Sequence, residues 1–332
     1  MRRCLSTALW TLFSLFLSAS ESPQRADFIR SLEQAASRAN LFELPSFEMK
    51  AALQVENVGK KLNGTYHLRW NGPDQWKEEI TFPGYTEVQV GGKGTVSTLR
   101  TTDFVPLRVF QVHAALGFGP MVTADAGRTG SLVAFHLAPA DAIKKVHSRK
   151  ENGDKLTCAQ IESEEGHSWD VCIDETTGTL FRGDLHQDRD FQTVAGKVFP
   201  RSMTIVEKGQ TMAKVVITEI VSPAQFPSDA FVAPSGTTSR PGCMNPAPYR
   251  RTKSVPPTYP EDARTLHISG TVATDVIIGV NGVPRVRKVI ESPNHSLEES
   301  ALRALSQWRY QAATCDGTPI DMETVIQVNY AF

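Results

Sequence analysis

Alternation of apolar and polar residues dominates the first two thirds of the chain and predicts a β-rich fold there. Apolar side chains take every second position at Tyr66, Leu68 and Trp70, and again at Ile80 and Phe82. A period of two is typical of half-buried strands. The glycine-rich stretch 91–95 between two such segments has the composition of a hairpin turn. The pattern therefore predicts an antiparallel meander.

Two segments of this region have helical spacing instead. Apolar residues at i, i+4, i+7 and i+8 predict an amphipathic helix over 26–39, and a second helix is predicted over 107–116, before Gly117. Further strand-like segments follow at 131–137, 156–161, 169–174, 179–187, 197–206 and 214–220. The expected N-terminal domain is therefore a long antiparallel sheet accompanied by helices.

The last 78 residues have a denser pattern. It predicts a helical turn at 261–265, strands at 270–280 and 283–292, a helix at 297–307 and a strand from 322 to 332. Asn281-Gly282 favours a type I′ turn between the two strands. Ser296 with Glu299 favours a capping box at the helix start. A small α+β domain is expected.

The length of 332 residues exceeds what one hydrophobic core usually organises. Prolines interleaved with Ser, Thr, Gly and Arg mark a join near residues 235–254. The expected fold class is α+β, with a signal at 1–20, a β-rich domain at 21–234, the Pro-rich linker, and the C-terminal domain at 255–332.

The N-terminus has the features of an export signal. Met1-Arg2-Arg3 is followed by the apolar segment Leu5–Leu17, which is shorter than the ~20 residues that span a bilayer. Small residues at 18–20 predict cleavage before Glu21. We therefore expect a periplasmic protein of a Gram-negative-type bacterium. The alternative is an uncleaved inner-membrane anchor.

Removal of the signal would discard Cys4 and leave four cysteines in an oxidising compartment. Pairing the segments about Glu165 places Cys158 opposite Cys172 on one face, with apolar residues on the other. This register predicts a cross-strand disulfide. Cys243 and Cys315 remain for a second one.

Composition and motifs exclude several functions. The chain has 35 basic and 36 acidic residues and a pI near 6.7, so no positive field favours nucleic acid. No catalytic or cofactor-binding motif is found, so neither an enzyme nor a cofactor is expected. Four ligand-type residues alternate on one predicted strand face, but a solvated outer face explains them more simply than a metal: Asp184, His186, Asp188 and Asp190.

Three stretches of the C-terminal domain resemble the C-terminal domain of TonB-family energy transducers: PPTYPEDAR, GTVATDVIIGVNGVPRVRKV and LEESALRALSQWRYQAATCDGTPI. The resemblance implies a three-stranded antiparallel sheet with a helix on one face. It also implies that an edge strand pairs with the extended TonB box of an outer-membrane transporter. The residues expected at that contact are Tyr259, Pro260, Asp321, Glu323, Val325, Gln327 and Asn329.

Other roles are open for these residues. The last strand can simply close the sheet or support a homodimer, and Tyr259-Pro260 can be a structural corner. The N-terminal apolar segment contains no histidine. It thus lacks the polar motif by which TonB helices couple to the ExbB-ExbD motor, so energy transduction is the least supported part of the resemblance.

The N-terminal domain resembles the unclosed barrel of LolA and LolB lipoprotein carriers, through its architecture and the phrase LRWNGPDQWKEEITFPGYTEVQVGG. The resemblance implies a curved sheet whose apolar concave face can hold a lipid or lipoprotein acyl chain. The expected lining residues are Phe82, Tyr85, Phe104, Phe110 and Phe118. The alternative is that these aromatics fill an ordinary core.

Two hypotheses follow. In the first, a non-catalytic envelope protein of the TonB family binds an outer-membrane transporter by strand addition and takes part in transmembrane transport. In the second, a soluble periplasmic carrier of lipid or lipoprotein uses the TonB-like domain only as an interaction module.

Overall fold

The computed structural model describes residues 23–57, 60–116, 143–151, 153–162, 168–182, 186–207, 210–223, 225–243, 247 and 249–331. The predicted signal, the strand predicted at 131–137 and Phe118 lie outside these ranges. Within the ranges, none of the helices has the length and apolar character needed to span a bilayer.

The N-terminal region is organised around a nine-stranded antiparallel sheet. Its strands are β1 (Phe47–Asn57), β2 (Lys60–Trp70), β3 (Trp76–Phe82), β4 (Tyr85–Gly92), β5 (Thr95–Arg100), β10 (His186–Val194), β11 (Lys197–Glu207), β12 (Gln210–Val221) and β13 (Thr238–Pro241). Their order is β10-β11-β12-β1-β2-β3-β4-β5-β13. The two end strands do not pair with each other. The predicted unclosed antiparallel sheet is therefore confirmed.

The hydrophobic core lies on one face of this sheet, because every second residue along the strands is buried. Trp76 and Ile80 on β3 and Tyr66 on β2 are almost fully buried. Helix α1 (Pro23–Ala39) packs near β11, and helix α2 (Leu107–Leu116) packs on β12, β1 and β11. Both predicted helices are confirmed.

A second, four-stranded antiparallel sheet has the order β6-β7-β8-β9. Its strands are β6 (Ile143–Glu151), β7 (Asp154–Glu162), β8 (Ser168–Asp174) and β9 (Leu180–Arg182). Cys158 and Cys172 lie opposite each other in β7 and β8 and form a disulfide, in the predicted register.

The C-terminal domain contains α3 (Glu261–Thr265), β15 (Gly270–Ile278), β16 (Pro284–Glu291), α4 (His295–Leu305) and β20 (Met322–Tyr330). The three strands form an antiparallel sheet in the order β16-β15-β20. Two short pairs accompany it: β14 (Arg250–Lys253) with β17 (Arg309–Gln311), and β18 (Ala313–Cys315) with β19 (Thr318–Ile320). The predicted order and the three-stranded sheet are confirmed.

Two local predictions in this domain are wrong. Gly282, but not Asn281, has positive φ, and five residues separate β15 from β16, so the turn is not type I′. Gly282 is needed because a Cβ there would lie 1.8 Å from the carbonyl oxygen of Tyr310. Asn294, not Ser296, caps α4, since its side chain accepts from the Leu297 N–H and the helix begins at His295.

The Pro-rich segment 235–254 is built into both domains. It contributes β13, which pairs with β5 of the large sheet, and β14, which pairs with β17. Cys243 within it forms a disulfide with Cys315, as predicted. The segment therefore fastens the C-terminal domain to the large domain.

Candidate partner-binding edge and the ion chain behind it

Strand β20 forms an edge of the C-terminal sheet, and its backbone orientation can be assigned. Among the described residues it pairs with β15 alone, in a register without shifts. The Thr274 hydroxyl donates to the Ile326 carbonyl oxygen at 3.1 Å, so this carbonyl points toward β15. Because backbone groups alternate sides along a strand, those of Glu323, Val325 and Gln327 point to the open edge.

The side chains of these three residues lie on the face of the sheet that is turned away from α4. Val325 is buried and belongs, with Ala273 of β15, to the hydrophobic core of the large domain. Gln327 is half-buried. The edge therefore presents its backbone outward while its side chains face the large domain.

The remaining predicted residues flank this edge. Asp321 precedes β20, accepts from the Val280 N–H at 2.9 Å and pairs with Arg285 at 2.7 Å. Asn329 is exposed, and its side-chain oxygen accepts from the Thr271 hydroxyl at 2.6 Å. Both side chains thus have partners within the C-terminal sheet.

Tyr259 and Pro260 form a corner beneath the end of β20. The Tyr259 hydroxyl donates to the Ile268 carbonyl oxygen at 2.7 Å, and its ring packs edge to face on Tyr330 with centroids 5.5 Å apart. Pro260 precedes the first residue of α3. These contacts are those of a structural corner, and a direct role in partner binding stays a prediction.

Glu323 is the centre of an ion cluster between the two domains. Arg100 of β5 donates to both of its carboxylate oxygens, at 2.7 and 3.2 Å. Arg287 of β16 contacts the same carboxylate, and Arg240 of β13 lies 4.0 Å from it. Glu323 thus joins the large domain to the predicted edge.

The cluster continues into the large domain as a chain of charges. Arg100 also contacts Glu87 of β4 through its Nε atom. His113 of α2 lies between two carboxylates, with Nε2 3.2 Å from Glu87 and Nδ1 3.0 Å from Glu78 of β3. We call Glu78, His113, Glu87, Arg100 and Glu323 the ion chain.

Burial makes the charges of the ion chain interdependent. Burial alone would lower the pKa of His113, but the flanking carboxylates outweigh it and raise that pKa to about 10. Burial likewise opposes ionisation of Glu87, yet contacts with His113 and the charge of Arg100 lower its pKa. For Glu78 burial dominates, and its pKa is raised. His113 is thus an imidazolium at neutral pH.

The same three side chains could geometrically hold a metal ion, since their ligand atoms lie within 4.8 Å of one another. However, each ring nitrogen of His113 lies at ion-pair distance from a different carboxylate, so the charge of an imidazolium accounts for this grouping without a metal. A second group contains Cys158, whose sulfur is bound in a disulfide. In the predicted alternating set, Asp184 lies outside the described residues, and Asp190 has positive φ.

The aromatic residues predicted to line a lipid groove differ from one another in burial. Phe82, Tyr85 and Phe110 are buried members of the large core. Phe104 is half-buried, with the Lys288 ammonium 5.9 Å from its ring centroid. Phe118 lies outside the described residues. Lipid binding by these residues stays a prediction.

The sequence patterns did not predict the ion chain. Its one sequence signal is that Glu78 and Glu87 stand at inward positions of strands, where Trp76, Ile80 and Tyr85 are apolar or aromatic. Polar residues in a buried row usually need a buried partner. The identity of that partner, His113, depends on how α2 packs on the sheet.

Asp275 is a further buried carboxyl of the interdomain face, and it predicts a pH effect. It lies on β15, is fully buried, and pairs with Arg287 at 2.7 Å. Burial first, and the neighbouring Glu323 second, raise its pKa to about 6. A carboxyl whose pKa is raised on folding loses its stabilising contribution as pH rises through that value.

We expect wild-type stability to fall by about 1 kcal/mol between pH 5 and pH 7, relative to Asp275→Asn, since one pKa unit corresponds to about 1.4 kcal/mol. Chemical denaturation of both proteins at the two pH values measures this difference. Parallel pH dependence in the two proteins would contradict it.

Comparison with known proteins identifies the C-terminal part. Residues 255–332 match the family described as Gram-negative bacterial TonB protein C-terminal. Protein TonB of Vibrio cholerae serotype O1 is 30% identical over 110 residues, which is 33% of this chain and 45% of that protein. The chain thus spans about half the length of this relative.

The fold is also similar to solved structures. A LolA superfamily protein from Nitrosomonas europaea has 10% identity and a TM-score of 0.34, covering 62% of this chain and 97% of its own. A DUF1329 family protein from Desulfovibrio piger has 8% identity and a TM-score of 0.37, covering 61% and 97%. The part of this chain that matches the C-terminal domain of the TonB family is residues 255–332, which contain β20 and Glu323.

Proposed function

We propose that this protein is a non-catalytic component of the cell envelope, exported to the periplasm, that binds outer-membrane TonB-dependent transporters. In this proposal an extended segment of the transporter adds to the open edge of β20 as a further strand. Main-chain hydrogen bonds supply affinity in such complexes, and pockets for alternate side chains supply specificity.

The observation that carries this proposal is the orientation of the β20 backbone. The N–H and C=O groups of Glu323, Val325 and Gln327 point away from β15, and no strand in the described ranges pairs with that side. Unpaired backbone groups at a sheet edge are a template for an incoming strand. The match of residues 255–332 to the TonB C-terminal family supports the transporter as the partner.

The opposite edge of the same sheet is less suited to strand addition. Strand β16 begins with Pro284, exposes Arg285 and Lys288, and has two register irregularities against β15. Proline, positive charge and bulges are features that discourage pairing at an edge. We therefore assign the partner to β20.

The lipid-carrier hypothesis has less support. Three of the five aromatics expected to line a groove are packed into the large core, so they do not form an open apolar wall in this conformation. Coupling to the ExbB-ExbD motor depends on residues 1–20, which the structure does not describe.

Gln327→Pro tests strand addition directly. The substitution removes one outward N–H from the open edge without removing a hydrogen bond to β15. We expect the melting temperature to change little and the affinity for the partner segment to fall at least tenfold. Fluorescence anisotropy with labelled peptides measures this, using the N-terminal periplasmic segments of the outer-membrane transporters of the source bacterium.

Gln327→Thr is the matched control, because it changes the same side chain but keeps the N–H. It should bind peptide as the wild type does. If Gln327→Pro folds and binds as tightly as Gln327→Thr, the partner does not use this edge. If the wild type binds none of the peptides, the proposed function is wrong.

A further inference from the structure

We infer that the large domain positions the partner-binding edge through Arg100, and that a bound strand contacts both domains. This inference rests on the proposed function. Its starting point is that Glu323 contributes its backbone to the open edge and its side chain to the ion chain. Glu323 is therefore part of both the partner-binding edge and the ion chain.

Arg100 has the geometry of a positioning residue. Its side chain is 10% exposed, and its guanidinium connects two carboxylates, Glu87 within the large domain and Glu323 on β20. Two parallel N–H···O contacts to one carboxylate fix both distance and orientation, which a single contact does not. Arg100 thereby fixes the position of β20 relative to strand β5.

Two further contacts hold the same face of β20. Val325 is packed in the core of the large domain. The disulfide between Cys243 and Cys315 joins the end of β13 to the hairpin that precedes β20. The Arg100–Glu323 contact, the packed Val325 side chain and the disulfide together keep the edge strand against the large domain, so the edge is ordered before a partner arrives.

The pleat of the sheet determines what a bound segment would contact. Side chains alternate between the two faces of a sheet, and an added strand follows the same alternation. One set of its side chains therefore points to the α4 side. The other set points to the side on which Arg100 and Arg240 lie. The expected partner is therefore an extended segment whose side chains are contacted on both faces. The large domain contacts one of these two faces.

Arg100→Lys tests this inference in the full-length chain. Lysine keeps a positive charge near Glu87 but cannot form the two-pronged contact with Glu323. We expect the variant to bind the transporter peptides about tenfold more weakly, because a less ordered edge must be ordered on binding. Hydrogen exchange of the β20 amides should become faster in the same variant.

Arg69→Lys is the matched control. Arg69 of β2 also contacts two carboxylates, Glu48 at 3.3 Å and Glu79 at 3.5 Å, but both belong to the large domain. Peptide affinity should be that of the wild type. If Arg100→Lys does not fold, Arg240→Gln replaces it, since Arg240 contacts Glu323 from the half-exposed rim. Its expected loss is about threefold.

A peptide series separates positioning from general stability. Alanine is placed at alternate positions of the tightest-binding peptide, and each peptide is measured against wild type and Arg100→Lys. For one of the two alternating sets of peptide positions, alanine substitution should weaken binding less in Arg100→Lys than in the wild type. The reason is that the side chains of this set face the large domain.

Equal affinities of Arg100→Lys and wild type, or alanine costs that do not change in either set, would overturn the inference while leaving strand addition intact. Absence of peptide binding by the wild type would instead refute the proposed function, and this inference with it.

Discussion

Replacing His113 by alanine is expected to lower the free energy of unfolding by about 3–5 kcal/mol. The imidazolium lies between Glu78 and Glu87, and all three side chains are at most 6% exposed. Removing one partner of a buried ion pair leaves an uncompensated charge, which costs about this much. The melting temperature should fall on the order of 10 °C for a chain of this size.

His67→Ala is the matched control. His67 also lies between two carboxylates, with Nε2 2.5 Å from Glu48 and Nδ1 3.6 Å from Glu79, but it is 21% exposed. Solvent reaches these contacts, so we expect a loss of about 1 kcal/mol or less. Similar losses for both variants would show that burial does not determine the cost.

The pH dependence of the His113 effect follows from its raised pKa. A histidine whose pKa is raised on folding contributes stability that is fully present below its unfolded value of about 6.5. That contribution is lost as pH rises through about 10. Because that loss begins above the unfolded value, the difference between wild type and His113→Ala should be smaller at pH 8.5 than at pH 6 but still present. If it disappears by pH 8, His113 is neutral in the native state.

Local patterns were sufficient to predict much of the fold. The symmetric placement of apolar residues and cysteines about Glu165 gave the register of β7 and β8, because a slip by one residue would have placed the two cysteines on opposite faces of the sheet. The three-stranded sheet followed from period-two segments and from the resemblance to TonB C-terminal domains. The register of β7 and β8 depends on residues that are close in sequence, whereas the pairing of β15 with β20 joins distant residues and followed from the resemblance.

The interdomain contact could not be predicted in this way. Arg100 and Glu323 are 223 positions apart, and nothing in either local pattern indicates the other. The prediction of a type I′ turn between β15 and β16 was wrong for a related reason. Gly282 is held by the backbone of Tyr310, whose N–H donates to its carbonyl oxygen at 2.9 Å, so a contact outside the hairpin determines the turn.

Loss of the disulfide between Cys243 and Cys315 is the second large effect we expect. The two cysteines are 72 residues apart, and in the chain-entropy model closing a loop of this length stabilises the folded state by about 4 kcal/mol. The double variant Cys243→Ser and Cys315→Ser should lose that amount in chemical denaturation. Peptide mapping without reductant should show both disulfides in the wild type.

The disulfide between Cys158 and Cys172 provides the comparison. It closes a shorter loop, with a separation of 14 residues, for which the same model gives about 3 kcal/mol. It lies within one sheet, whereas the other joins two domains, so only the loss of Cys243–Cys315 should speed hydrogen exchange in β20. If exchange in β20 stays as slow as in the wild type, the ion chain and Val325 are sufficient to hold the edge strand against the large domain.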